Sequence, residues 1–402
     1  MFKALYKKTA LWPYLLIAVC VSVSTIILWL PFLLKVPHLN GIDTQNISFQ
    51  TVLSHWDGPL YIIPAKTGYD PEDYILSKSP LGLSPKYFAA HLPGYPTTIA
   101  VFSKIIGYPK ATILSTLFFT VILYSFFYFF LQKLNFFKSD KSPVNIKAIT
   151  LTAVFLFFTP RLFVVRSVGS PEPMFMLFIL SSIYFFVKKK YLVSSILGSA
   201  AIITKTPAIL LFLAYSLFFV DSYRMNKKFE IKWLSVLLIP ISLIAVFIFY
   251  FLQYGDFFAY FNSGDNLHLF FPPFSVFNFQ KNWVTTGWLE EIVFVYLFYL
   301  FTLFTLWEKI KVRVENEQQK HFYKVSFYFA LVFFISIISV QHRDIARYSL
   351  PLLPLALIVL SDFFTSKKFI FTLILLLPAI YLYAWNFMMT NTAPISDWSL
   401  FL

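Results

Sequence analysis

Long apolar runs recur along the whole chain and constrain its fold more than any other feature. Many of them approach or exceed the roughly 18 residues at which a helix becomes long enough to cross a bilayer. The chain is 58% hydrophobic and 13% charged, whereas soluble domains are about 45–50% apolar. The runs are continuous rather than alternating, so the spanning elements are helices and not strands. The sequence therefore predicts an all-α, polytopic integral membrane protein.

We predict about eleven transmembrane helices in one domain over residues 1–402. The first apolar run follows a basic start and is about 23 residues long, which exceeds the roughly 7–15-residue apolar region of a signal peptide. We therefore expect an uncleaved first span with the N-terminus in the cytoplasm. The predicted spans are 11–34, 109–131, 146–160, 171–187, 191–205, 207–220, 233–252, 284–306, 322–340, 349–364 and 369–386.

The distribution of charge supports this topology in a cell membrane. The net charge is +14, from 33 Lys and Arg against 19 Asp and Glu. About two-thirds of the basic residues fall in loops predicted to be cytoplasmic, as the positive-inside rule expects. Counting the ambiguous segment 87–107 as a span would spoil this pattern, so we predict that it is an amphipathic surface helix. The long loop 35–108, with its juxtamembrane helices, and the loop 253–283 are then extracytoplasmic.

Several functional classes are disfavoured by the sequence. The excess of basic residues lies in loops predicted to be on one side of the membrane. Topology therefore explains the net positive charge, and no nucleic-acid partner is needed. No Gly-rich phosphate loop or dinucleotide fingerprint occurs, so we expect no cofactor. No HxxxH or CxxC spacing supports a metal site. Nearly all charges avoid the centres of the predicted spans, where ion-coupled transporters usually carry ionisable groups.

Charged and aromatic side chains instead gather near the predicted outer boundary. Asp57 follows the first span, and Glu172 lies between two prolines at the start of the fourth; both are candidate catalytic acids. Carboxylates beside cations at headgroup depth suit a lipid phosphate, which Arg can bind through two hydrogen bonds. Structural roles stay open for each residue, such as helix capping or snorkelling to the interface. The candidates for substrate binding are Trp56, His91, Arg161, Arg166, Lys205, His342, Arg343, Arg347 and Tyr348.

Four stretches resemble membrane glycosyltransferases of the GT-C superfamily, most of all the GPI mannosyltransferase II type. HWDGPLYIIPAKTGYD (55–70) is similar to the Trp-Asp and Gly-Tyr stretch of that family, and YFAAHLPGYPTTIAVFSKIIG (87–107) resembles its Phe-Pro-x-Tyr-Pro helix. SVGSPEPMFMLFILSSIYFF (167–186) is similar to its Ser-Glu helix start, and RDIARYSLPLLP (343–354) resembles its Arg-Tyr-x-x-Pro segment. Leu-Pro replaces Phe-Pro at 92–93, so neighbouring mannosyl- and aminoarabinose-transferase branches stay open.

The resemblance implies inverting transfer of a hexose, with mannose indicated by the branch it resembles most. The donor would be a polyprenyl-phosphate-linked sugar, and the acceptor a hydroxyl of a glycolipid, glycan or protein on the extracytoplasmic face. Asp57 would be the general base and Glu172 would orient the hydroxyl groups, while Arg347 and Lys205 would bind the carrier phosphate. No metal would be required. The residues alone leave open a lipid-carrier flippase or transporter, and a non-catalytic membrane assembly subunit.

Overall fold

The computed structural model describes residues 11–39, 42–43, 47–55, 57–137, 145–265, 269–278, 280, 284, 289–312, 316–395 and 397–402. It is all-α apart from one antiparallel pair of two-residue strands, β1 (His38–Leu39) and β2 (Ile42–Asp43). The α-helices are α1 (Trp12–Leu34), α2 (Phe49–Leu53), α3 (Asp57–Thr67), α4 (Tyr74–Ser77), α5 (Gly94–Ile106), α6 (Tyr108–Lys133), α7 (Ile146–Phe157), α8 (Pro160–Val165), α9 (Glu172–Val187), α10 (Tyr191–Ile202), α11 (Ile209–Asn226), α12 (Leu238–Tyr254), α13 (Leu289–Lys311), α14 (Glu317–Ile338), α15 (Ile345–Tyr348), α16 (Leu353–Val359), α17 (Ser361–Phe364) and α18 (Lys367–Thr390). Short 3₁₀ helices occur at Pro80–Gly82, Pro85–Ala90, Thr206–Ala208, Ile231–Leu237, Ser275–Phe277 and Leu350–Leu352.

Seven helical segments among the described residues are long and apolar enough to cross a bilayer, which confirms the prediction of a polytopic membrane protein. They are Trp12–Leu34, Tyr108–Lys133, Thr206–Asn226, Ile231–Tyr254, Leu289–Lys311, Glu317–Ile338 and Lys367–Thr390. Shorter apolar helices at Ile146–Phe157, Glu172–Val187, Tyr191–Ile202 and Ile345–Val359 coincide with the four other predicted spans. Because a straight crossing needs about 20 residues, the total of eleven spans stays a prediction.

The segment predicted as a surface helix folds as a 3₁₀ turn followed by α5. This helix has 13 residues, which is too short for a straight crossing of about 20 residues. Tyr95 and Ile99 on one face are fully buried, whereas Val101 and Ile105 on the other are 58% and 83% exposed. The exposed side thus combines apolar residues with Lys104, as in helices that lie on a lipid surface, and its place at the membrane surface stays a prediction.

The contacts divide the chain into two compact units, and the single domain stays a prediction. Unit 1 comprises Met1–Leu177, Tyr250–Ser263 and Asp362–Leu402, and unit 2 comprises Phe178–Phe249 and Gly264–Ser361. In unit 2, α14 packs against both α11 and α13. In unit 1, α1, α8 and α18 share an apolar core that includes Leu28, Phe163 and Ala384. The helices of each unit thus pair along apolar faces.

The segment after α18 is part of the core of unit 1. The backbone N–H of Ala393 donates to the carbonyl of Ser54 at 2.7 Å. Farther along, Phe401 is buried in an apolar cluster with Leu60 and Ile63 of α3. The segment after α18 therefore supports the helix that begins at Asp57.

Candidate functional site

Two helix starts in unit 1, each with an acidic first residue, approach each other through a pair of glycines. Asp57 is the first residue of α3 and Glu172 is the first residue of α9, where the helix dipole favours a negative charge. A Cβ atom on Gly169 would lie 2.9 Å from the Cα of Gly58 and 2.5 Å from the Cγ2 of Thr112. At position 169 only glycine permits this approach, so Gly169 allows the two acidic segments to meet at Gly58.

The Tyr95 hydroxyl links these segments to α6. It donates a hydrogen bond to the carbonyl of Thr112 at 2.7 Å and accepts one from the backbone N–H of Ser170 at 3.0 Å. Burial, with further contributions from the charges of Glu172 and Asp57, raises the pKa of Tyr95. The tyrosine therefore stays neutral and keeps its donor bond to the Thr112 carbonyl.

The two carboxylates differ in their access to solvent. Glu172 is 3% exposed, and the Ser170 hydroxyl donates to its Oε2 atom. Asp57 is only half-buried. This difference suits Glu172 to a positioning role and Asp57 to direct contact with a substrate.

Sequence reasoning missed a stripe of hydroxyl groups on α6 that holds the second acidic segment. Thr112, Thr116 and Thr120 recur at four-residue intervals and therefore lie on one helix face, and all three are buried. The Thr116 hydroxyl lies 2.9 Å from the Ser170 nitrogen and 3.1 Å from its carbonyl oxygen. Hydroxyl side chains of this kind commonly join helices within membranes. The threonine spacing was the signal that the sequence offered.

Arg166, predicted to face the substrate, lies inside the protein. Its guanidinium donates to the hydroxyls of Thr25 at 3.1 Å and Ser24 at 3.0 Å on α1, and lies 4.6 Å from the centre of the Phe163 ring. The side chain has no solvent exposure. Hydroxyl groups and an aromatic face contact the buried cation, and its buried Nε has no hydrogen-bond partner among the described residues. These surroundings indicate a structural role.

His91 is enclosed as well, and Arg161 is partly exposed. The His91 ring packs edge-on against Tyr61 with a centroid distance of 4.8 Å, and the side chain of His91 is 4% exposed. The His91 carbonyl accepts a hydrogen bond from the Tyr69 hydroxyl. The Arg161 guanidinium lies 4.1 Å from the centre of the Phe387 ring. Trp56, the remaining candidate of this region, lies outside the described residues.

Unit 2 carries the candidates from the later part of the chain. The Lys205 amine lies 5.6 Å from the centre of the Tyr348 ring, and the ring of His342 packs edge-on against the same tyrosine at 4.9 Å. Arg347 is in the single turn of α15 and is partly exposed, while Arg343 is exposed. The structure thus brings Lys205 beside a histidine and a tyrosine that lie more than a hundred residues later in the sequence.

Among the described residues, no group of three or more His, Cys, Asp or Glu side chains could hold a metal ion. The expectation that the protein needs no metal stays a prediction. No protein-family model matches the chain, and no curated protein matches it significantly. The function is therefore inferred from the residues themselves.

Proposed function

We propose that this membrane protein is an inverting glycosyltransferase of the GT-C type. It transfers a hexose, with mannose as the first candidate, from a polyprenyl-phosphate carrier to an acceptor hydroxyl of a glycolipid, glycan or protein. The observation that supports this most is the approach of the Asp57 and Glu172 segments at Gly58 and Gly169. Two acids held at neighbouring helix starts offer a base and a positioning group for a sugar hydroxyl.

In the proposed reaction, the acceptor oxygen attacks the anomeric carbon from the face opposite the phosphate. The new bond to the acceptor oxygen forms while the bond from the anomeric carbon to the phosphate oxygen breaks, and its electron pair leaves with the polyprenyl phosphate. The half-buried Asp57 takes the proton of the acceptor hydroxyl, a role that accelerates reactions by about 10²–10⁴-fold. Glu172, supported by Ser170, orients the hydroxyl groups.

The leaving phosphate gains negative charge, which cationic side chains can stabilise. In unit 2, Lys205 lies over Tyr348, and the partly exposed Arg347 belongs to the same sequence motif as this tyrosine. We assign carrier-phosphate binding to Lys205 and Arg347, with Arg343 as a further contact. Because Arg offers a planar, bidentate donor set, Arg347 is expected to contribute most to donor binding.

We further propose that the reaction takes place on the extracytoplasmic face of a membrane crossed eleven times. The supporting observation is the excess of Lys and Arg in the loops that this topology places inside, because basic loops are retained in the cytoplasm.

The test is a transfer assay with purified protein in lipid nanodiscs, radiolabelled polyprenyl-phosphate mannose and a lipid extract as acceptor. Asp57→Asn is expected to lower kcat about 10²–10⁴-fold, as loss of a general base does. Asp70→Asn is the matched control, because Asp70 is a nearby exposed acid that only caps a turn at Glu72. Full transfer by the Asp57→Asn variant would remove the assignment of the base.

The phosphate assignment is tested separately. Arg347→Ala is expected to raise the KM for the donor more than it lowers kcat, while Arg224→Ala, an exposed arginine elsewhere in unit 2, leaves both unchanged. A loss of folded protein without a change in donor KM would instead indicate a structural role for Arg347. If no carrier-linked sugar is transferred at all, a lipid-carrier transporter or an assembly subunit becomes the better explanation.

A further inference from the structure

An exposed aromatic loop in unit 2 has no role in the proposed chemistry. The loop, which we call the aromatic loop, is LFFPPF at residues 269–274 and contains no charged residue. Phe271 is 94% exposed, and Leu269 is 67% exposed. Contiguous exposed apolar side chains usually mark a surface that binds another apolar partner.

The aromatic loop is attached firmly to the end of a candidate membrane span. The backbone N–H of Phe270 donates to the carbonyl of Ser339 at 2.7 Å, and that of Phe274 donates to the carbonyl of Ile338 at 2.6 Å. A bridge also pairs Leu269 with Val340. These contacts hold the loop at the C-terminal end of α14, so it lies at the depth where that helix leaves the bilayer.

The backbone of the aromatic loop is also suited to an apolar medium. In lipid, an unsatisfied backbone N–H costs several kcal/mol. Pro272 and Pro273 have no N–H, and the N–H groups of Phe270 and Phe274 are already hydrogen-bonded. Of the six residues of the loop, only Leu269 and Phe271 have an N–H that donates to no described backbone group, so the loop presents few donors to its surroundings.

We propose that the aromatic loop inserts into the membrane interface at the end of α14, and that its partner is the bilayer lipid itself. Insertion also sets the depth of the neighbouring segment, because the Gln341 side-chain amide donates to the carbonyl of Ser275 at 2.9 Å. The segment 341–348, which carries His342 and Tyr348, is thereby held at headgroup level. Lipid insertion of the loop does not depend on glycosyl transfer.

The experiment measures the depth of a fluorophore at position 271 in nanodiscs. Cys20 is the one cysteine of the chain, so Phe271→Cys is made in a Cys20→Ser background and labelled with an environment-sensitive dye. Substitution at a side chain that is 94% exposed removes little internal packing. Lys78→Cys, at an exposed residue of a polar turn in unit 1, is the matched control.

We expect lipids with a spin label near the headgroup to quench the dye at position 271 severalfold more than the dye at position 78. Aqueous iodide should instead quench the dye at position 78 more than the dye at position 271. Equal iodide quenching at both positions would overturn the proposal. Protection that appears only when polyprenyl phosphate is added would assign the loop to the carrier lipid instead. Protection in detergent that grows with protein concentration would assign it to a second copy of the chain. Either of these two results would also overturn it.

Discussion

The close approach of Gly58 and Gly169 makes a sharp prediction about the substitution Gly169→Ala. The new Cβ would lie 2.5 Å from the Thr112 Cγ2 atom and 2.9 Å from the Gly58 Cα atom, whereas ordinary contacts begin at 3.4 Å. The threonine methyl must therefore move by about 0.9 Å and the α3 backbone by about 0.5 Å. Rotation of Thr112 is hindered, because it is β-branched and its hydroxyl is bonded to the Tyr108 carbonyl at 3.0 Å.

Overpacking of this kind lowers the free energy of unfolding by about 1–3 kcal/mol. We therefore expect Gly169→Ala to lower the melting temperature of the protein in detergent. A displacement of about 1 Å between reacting groups can also cost about 10²-fold in rate. Because the substitution pushes the α3 start away from the segment that precedes Glu172, we expect sugar transfer to fall more than the fraction of folded protein does.

Gly58→Ala is the matched control for stability. Its Cβ would meet the Leu53 carbonyl oxygen at 3.4 Å and the Gly169 Cα at 3.5 Å, which are ordinary contacts. Alanine is favoured over glycine within a helix by about 1 kcal/mol, so this variant should melt at or above the temperature of the unaltered protein. Adding Thr112→Ser to Gly169→Ala removes the closer clash and should recover part of the loss. If Gly169→Ala melts normally while Gly58→Ala is destabilised, the argued packing is wrong.

Three further predictions concern unit 1. Tyr95→Phe should lower the free energy of unfolding by only about 1 kcal/mol, because the Thr116 hydroxyl still accepts the Ser170 N–H. Thermal unfolding measures this change, and a loss beyond about 3 kcal/mol would contradict the reasoning. Hydrogen bonds from Asn262 and from Lys86 lower the pKa of Asp256 below its usual 3.8. The ion pair between Lys86 and Asp256 therefore persists above pH 3.8 and is lost as the pH falls through the lowered pKa. Hydrogen exchange of residues 255–263 should become faster when the pair is lost, and an unchanged rate would count against the pair. Arg166→Met should lower the melting temperature, because the hydrogen bonds from the guanidinium to Thr25 and Ser24 are lost, but should leave the donor KM unchanged, because the side chain is enclosed; a rise in donor KM would show that substrate reaches it.

The membrane-spanning segments were predictable because their signal is local. The predicted spans 109–131 and 369–386 correspond to Tyr108–Lys133 and Lys367–Thr390, since a bilayer requires a certain length of apolar helix wherever it occurs. The side of the membrane, the number of shorter crossings and the chemistry stay predictions.

The candidate site was predictable only in part. Asp57 and Glu172 stood out as acids beside apolar runs, and the structure brings their segments together. Arg166 and His91 stood out as ionisable residues in similar positions, yet both are enclosed. The residues next to a charged side chain do not show whether a helix from a distant part of the chain will cover it. The burial of these positions could therefore not be predicted from the sequence.

The amino-acid order alone determined that this chain is helical and membrane-embedded, because those properties follow from the length and apolarity of contiguous segments. Only the tertiary structure decided which polar groups meet. The contact between Gly58 and Gly169, and the hydrogen bond that the Ser170 N–H donates to the Tyr95 hydroxyl, join residues far apart in the chain. Such contacts depend on how the surfaces of several helices fit together, and no single stretch of sequence encodes that fit.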